Sequence, residues 1–362
     1  MFEKIDLEAL AERSGPERAF LTLYLSGPDA RGALERRISK VRNLLDEETD
    51  EAEHFEENLK LLEEFFDSYD FESGSLAIFS CWALDFFQAY PLEVDLPDLL
   101  WIDSSPYIRP LAQLQDDYED FVVVLADNTE THVFLVTSAV PQAQQTVKGN
   151  IKNHVRKGGW SQKRYERRRD NALGQYAKEV ASVLAELDER RQFDKVLLLG
   201  SDETMRAIRE ELPPRLAEKL AGTESVDLHQ DDETWQSAFE MFFEEDRKQD
   251  RELWQQIKAE RLREGRAALG AEEVLEAAVA GRVERMLISK EARLAGHRCR
   301  ECENLFNDGH ELCPLCGTES LFKVDLVEEL IELLLLTGAE PEFTEPIPGL
   351  TRADGVGALL RY

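Results

Sequence analysis

Positive charge is scarce in this chain. Across 362 residues, 43 Lys and Arg stand against 74 Asp and Glu, for a formal net charge of −31. So acidic a total argues against a general nucleic-acid-binding surface. Long apolar runs are missing too. Runs such as Leu333–Leu336 stop within a few residues, far short of the ~20 needed to cross a bilayer, which excludes a transmembrane helix. The opening Met1-Phe2-Glu3-Lys4-Ile5-Asp6 has neither the basic nor the apolar pattern of a secretory signal or transit peptide. Cysteine is rare, five residues in all, so a disulfide framework is not expected and a reduced compartment is. The expectation is a cytoplasmic monomer with no membrane partner. There is no tandem repeat, and the spread of Leu, Val, Ile and Phe along the length excludes a long disordered tail.

Four of the five cysteines lie within 18 positions, as Cys299-x2-Cys302 and Cys313-x2-Cys316 separated by ten residues. Each x2 spacing lets two sulfurs reach one ion, and two such pairs close a tetrahedron. Pro314 and Gly317 suit a tight second knuckle. With four thiolates no position is left for water, so a structural zinc ribbon is expected over 297–320, held by Cys299, Cys302, Cys313 and Cys316. His297 and His310 read as bystanders, and Cys81, beside Trp82, as a buried inert thiol.

The chain divides into three segments. In 1–114, Phe20–Leu25 and Leu76–Phe79 read as strands. Leu34, Ile38, Val41, Leu45 and then Phe55, Leu59, Leu62, Phe66 have the spacing of two helices. This segment is an α+β domain. In 115–232, strands at Phe121–Leu125, Val133–Val136 and Val196–Leu199 alternate with a helix bearing Tyr176, Val180, Val183 and Leu184, and with a helix after Ala207 broken by Pro213-Pro214. That alternation predicts an α/β domain. In 233–362, a charged helix over Trp235–Glu264 precedes a helix at Glu272–Ala280, a strand at Arg285–Ile288, the cysteine cluster, a helix over Val324–Leu336 and a last strand over Gly357–Tyr362. This is a second α/β domain with an insertion. The fold class is α/β (α+β).

One window reverses the charge. Lys148 to Arg169 holds nine Lys or Arg and one acid, Glu166; at +8, it leaves −39 on the rest of the chain. Its centre reads Arg156-Lys157-Gly158-Gly159-Trp160-Ser161-Gln162-Lys163-Arg164-Tyr165-Glu166-Arg167-Arg168-Arg169. Paired glycines let a backbone approach another molecule closely. One reading is a flexible surface loop before an Arg-rich helix. The sharper one is a loop that enters an RNA cavity. There Lys157, Lys163, Arg164, Arg167, Arg168 and Arg169 would pair with phosphates and Trp160 or Tyr165 would stack on a base.

From Gly158 to Arg169 this window resembles the central-domain signature of the archaeal and eukaryotic class-1 peptide release factors. That signature is Gly-Gly-Gln, then Ser and an Arg-aromatic-x-Arg-x-Arg helix start. The zinc ribbon inserted in the third segment, and a close over Gly355-Val356-Gly357-Ala358-Leu359-Leu360-Arg361-Tyr362, are also similar to that family. Without a gap Trp160 occupies the family's Gln position, and Gln162 follows two residues later. The resemblance is therefore nearest to a bacterial-type or ribosome quality-control branch related to Pelota. It implies a three-domain release-factor-like architecture with a ribosome, ribosomal RNA and peptidyl-tRNA as partners, and a translational GTPase as a candidate delivery partner. It further implies peptidyl-tRNA hydrolysis at a loop where Gly158 and Gly159 form the turn and Gln162 acts on the ester. Ser161 with His154 is a weaker nucleophilic alternative. The alternative function is a non-hydrolytic, Pelota-like rescue or hibernation factor. No Asn-Ile-Lys-Ser stop-codon motif occurs in the first segment.

Overall fold

A computed structural model of the chain describes residues 5–16, 18–27, 30–45, 49–69, 74–92, 94–117, 120–137, 140–148, 160–191, 193–226 and 232–362. The chain forms two compact units, Met1–Asp117 with Asp250–Tyr362, and Tyr118–Gln249.

The first segment runs α1 (Leu7–Ala11), β1 (Phe20–Leu25), α2 (Arg31–Arg42), α3 (Asp50–Ser68), β2 (Ser75–Cys81), β3 (Phe86–Leu92), β4 (Leu99–Asp103) and α4 (Arg109–Asp117). Its sheet has the order β3-β2-β1-β4, antiparallel throughout. Successive side chains of β1 point to opposite faces. Leu21, Leu23 and Leu25 meet Leu34 of α2 and Phe55, Leu59 and Leu62 of α3. Tyr24, with Ala77 and Phe79 of β2, joins a core shared with the C-terminal segment. Every residue of β1 is therefore buried, which is why it reads as a continuous apolar run. Thr49 caps α3 by accepting from the Ala52 N–H, and Asp50, Glu51 and Glu53 fill the first turn, where the helix dipole favours acid.

The second unit contains β5 (Phe121–Ala126), β6 (Glu130–Thr137), β7 (Val140–Lys148), α5 (Trp160–Arg190), β8 (Lys195–Gly200), α6 (Asp202–Glu211), α7 (Pro214–Glu218), β9 (Leu220–Ser225) and the start of α8 (Asp232–Leu262). Sheet order is β7-β6-β5-β8-β9, with β5, β8 and β9 parallel and β6 and β7 antiparallel. Val122, Val124 and Leu198 face Tyr176, Val180 and Leu184 of α5. Phe121, Val123 and Leu197 face Ala238 and Phe242 of α8, with the Phe121 and Phe242 rings stacked at 4.2 Å. The proline pair separates α6 from α7, with Pro214 in the first turn of α7, where a missing N–H costs nothing.

The C-terminal segment adds β10 (Ala267–Leu269), α9 (Ala271–Val279), β11 (Val283–Ser289), β12 (Ala295–Cys299), β13 (Leu305–Asn307), β14 (Leu321–Asp325), α10 (Leu326–Leu336), β15 (Glu340–Thr344), α11 (Pro348–Thr351) and β16 (Val356–Leu360). One sheet has the order β10-β16-β11-β15, and the insertion is a separate sheet, β13-β12-β14. Leu253, Trp254 and Ile257, late in α8, pack on Leu287 and Leu350. The architecture is a mixed α/β one. Strands β3, β4, β7, β9 and β15 escape the periodicity argument. Pro91, Pro141 and Pro341 interrupt three of them, and β9 has no large apolar residue beyond Leu220. The last strand ends at Leu360, two residues before the expected limit.

Gly200 closes β8 with φ +137°, and a Cβ there would lie 2.0 Å from the Ala126 carbonyl oxygen. Gly200→Ala is expected to destabilise the 118–249 unit by about 2–4 kcal/mol, from backbone strain plus the clash. Urea unfolding of the full chain, followed by circular dichroism, measures this as a transition at lower denaturant.

Candidate functional site

The cysteine cluster is built from two matched turns. Cys299 ends β12; its N–H donates to the Asn304 carbonyl at 3.0 Å, and its own carbonyl accepts from the Glu303 N–H at 3.0 Å. In the second turn, Cys313 donates to Thr318 and accepts from Gly317, both at 2.9 Å. Glu303 and Gly317, each following the second cysteine of its pair, both take the left-handed conformation, at φ +57° and +77°. The four sulfurs lie within 4.8 Å of one another, with Cys299 and Cys316 at 3.5 Å and Cys302 and Cys313 at 3.6 Å. A tetrahedron with Zn–S bonds of about 2.3 Å has an edge of about 3.8 Å. The residues therefore fit zinc in size, donor type and number. Thiolates in all four positions leave no place for water, so a metal held there stabilises the turns and does no chemistry on a substrate. His297 and His310 instead flank the Phe306 ring, at 5.9 and 5.6 Å. Cys81 is fully buried, and burial pushes its thiol up, away from nucleophilic use.

The basic window divides at the start of α5. Lys157, Gly158 and Gly159 lie outside the described residues. Trp160, Ser161, Gln162, Lys163, Arg164 and Tyr165 have their backbone in the first turns of α5, and their side chains lie outside what the structure describes. Arg167 and Arg168 are exposed. Arg169 points back to the unit, where both Glu203 carboxylate oxygens of α6 accept from its guanidinium and its side chain is only 10% exposed. The helix is fixed from below. The Tyr176 hydroxyl lies 2.6 Å from Thr131 Oγ1 of β6, and burial pushes its own pKa up to about 12. Between α5 and α6 runs a cleft whose charged lining is Asp170 of α5 with Asp202, Glu203, Arg206, Glu210 and Glu211 of α6. The Glu203 partner carries no sequence signal, since it lies 34 residues from Arg169. Glu303 had one, because it holds the place that Gly317 holds in the second knuckle.

Two outcomes are expected for the cluster. Elemental analysis of the reduced chain should find one zinc, and Cys299→Ser with Cys302→Ser should remove it while both units keep their folds. Glu303→Gly should relieve about 1 kcal/mol of left-handed strain. In chelator competition that appears as a roughly fivefold gain in zinc affinity.

Known proteins agree with this picture. Residues 106–237 match the profile described as "Bacterial archaeo-eukaryotic release factor family 10". "Peptide chain release factor subunit 1" of Archaeoglobus fulgidus is 28% identical over 283 residues, covering 72% of this chain and 70% of that protein. The protein of the same description from Methanocaldococcus jannaschii is 24% identical over 418 aligned positions, covering 100% and 97%. Among solved structures, S. cerevisiae Dom34, described as a translation termination-like factor, aligns with a TM-score of 0.45 at 12% identity over 76% of this chain and 74% of that one. Residues 106–237 are thus similar to that release-factor family, and the archaeal release factors extend the likeness over most of the chain.

Proposed function

We propose that this chain is a ribosome-associated factor that hydrolyses peptidyl-tRNA in the tRNA site of stalled ribosomes, with three working domains divided near 114 and 232. The observation that carries the reading is the position of Gln162 in the first turn of α5, with only Trp160 and Ser161 between it and Gly158-Gly159, and on the same helix as the exposed Arg167 and Arg168. The ester joining nascent chain to tRNA needs little activation of its leaving group. Most of the barrier lies in placing a water and stabilising the oxyanion. The first four N–H groups of any helix lack intrahelical acceptors and sit at the positive end of its dipole. A Gln in that turn therefore offers a backbone donor to a developing oxyanion, and its side-chain amide can orient water. Gly158 and Gly159 allow the turn to come close to the ester. Arg167 and Arg168 would then hold ribosomal RNA or tRNA phosphates, with Lys157, Trp160, Lys163 and Arg164 nearer the tip. Arg169, bound by Glu203, supports the helix. Zinc held by the four cysteines is structural in this reading. A delivery partner such as a translational GTPase is in keeping with Dom34, described as interacting with Hbs1.

A second reading, non-hydrolytic Pelota-like rescue or hibernation, is favoured by Trp160 at the position where release factors have Gln. An indole can stack on a base but offers no side-chain amide to position water.

Peptide release from isolated ribosome–nascent-chain complexes separates the two. Gln162→Ala should slow release by about 10- to 1000-fold, the scale of one oriented catalytic group, with ribosome affinity unchanged because phosphate contacts dominate it. Equal, background-level release by wild type and Gln162→Ala would leave the non-hydrolytic reading. In a second measurement, Arg167→Glu with Arg168→Glu should abolish co-sedimentation with ribosomes at moderate salt and flatten the salt dependence of binding.

A further inference from the structure

The seam between segments 5–117 and 250–362, both within one compact unit, buries more acid than base. Glu328, Glu329 and Glu332 of α10 enter it at 5%, 4% and 7% exposure. Asp103, at the end of β4, and Asp325, ahead of α10, face the same region. Against these five carboxyls stand two guanidinium groups in the seam, Arg109 and Arg298, with Arg18 acting on Asp103 from nearby. Arg109 is taken by Asp325 at 3.2 Å and by the Ala292 carbonyl at 2.8 Å, and Arg298 by Glu329.

Four of the carboxyls have hydrogen-bond or ion-pair partners on both sides of the seam or beside it. Glu328 accepts the Ile108 and Arg109 N–H groups, at 2.5 and 2.8 Å, at the start of α4. Asp325 accepts from the Tyr107 hydroxyl and the Val327 N–H. Asp103 accepts from the Ser104 N–H and Trp101 Nε1. Glu329 has Arg298. Glu332 has Ser105 as hydrogen-bond partner, and its Oε1 is buried with none. The groups acting on Glu332 are Glu328 and Glu329 on its own helix, Arg298 from β12, and Asp103 and Ser105 from the first segment; burial and then Glu332 hold Glu328 well above the ordinary glutamate range in turn. A buried carboxyl placed like this takes up a proton rather than stay charged.

We propose that Glu332 is protonated when the two segments are docked, which makes the seam a proton-operated latch that loosens as pH rises. Burial and then Glu329 hold Glu332 well above the ordinary glutamate range. Burial also carries Glu329 up to about 7, against the pull of Arg298, so the pair responds as a unit. The sign follows from linkage. Raised values in the docked form mean that docking takes up protons, so this contribution is complete below about 4.5 and fades as pH climbs through 7 and beyond.

Hydrogen exchange of the full chain at pH 6 and pH 8 tests this, read at the Ile108 and Arg109 amides that donate to Glu328. After correction for intrinsic exchange, the wild-type opening constant should rise by roughly 10- to 100-fold between the two, up to tenfold per pH unit per proton. Glu332→Gln mimics the protonated form and should remove most of that rise by lowering the constant at pH 8. Glu332→Met, which removes the carboxyl at similar volume, should do the same. The proposal is overturned by a wild-type rise below about threefold. It is also overturned if both variants keep the full rise, or if they lose protection equally at the two pH values, which would make Glu332 a working anion.

Discussion

One carboxyl group ties the ends of the chain together. Glu328 accepts two N–H groups that lie 220 and 219 residues away in sequence, and in doing so supplies the N-terminal cap that α4 does not provide for itself. A hydrogen bond of this kind is worth about 0.5–1.5 kcal/mol net, and removing the carboxyl would also strand two buried donors. Around it the apolar face of the first sheet, Tyr24, Ala77 and Phe79, shares a continuous core with Val327, Leu330 and Ile331 of α10. Residues 118–249, which lie between these two stretches in sequence, form a unit of their own.

How much of this could be read from sequence depends on how far a residue's partner lies along the chain. The helices of Leu59 and Tyr176 and the strands of Leu23 and Val123 are written in local spacing. So are the cysteine turns, because two sulfurs three positions apart must share an ion or stand idle. The merger of the first and third segments is not written locally. Tyr24 and Leu330 look like core residues of two independent domains until the structure places them in one. The burial of the acids of α10 is not written locally either. Glu328, Glu329 and Glu332 in a leucine-rich helix resemble a solvated face, yet all three are buried. Arg169 shows the reverse case. It reads as part of a basic stripe, but Glu203 engages it, and only Arg167 and Arg168 of the three face solvent.

The charge distribution therefore has two levels. In sequence, +8 sits within a chain of −31. Among the described residues of that window, one guanidinium is used to hold α5 to α6, and an acidic cleft runs beside it. An RNA phosphate approaching Arg167 and Arg168 would meet attraction there and repulsion at the acidic cleft, which would set orientation as well as affinity.

The division of the first unit between the two ends of the chain also has a consequence in time. A ribosome making this protein releases residues 5–117 first, and their sheet can cover one face at once, since α2 and α3 are in hand. The other face, with Tyr24 and Phe79, shares its core with α1 and α4 of the same segment but is not complete until α10 emerges more than 200 residues later. At about 5–20 residues per second the wait is on the order of 10–40 seconds, a long time for an apolar sheet face to stand incompletely covered beside other nascent chains. The central unit, whose strands and helices are contiguous in sequence, can finish within that interval, so the last part of the protein to become native is the part that was made first.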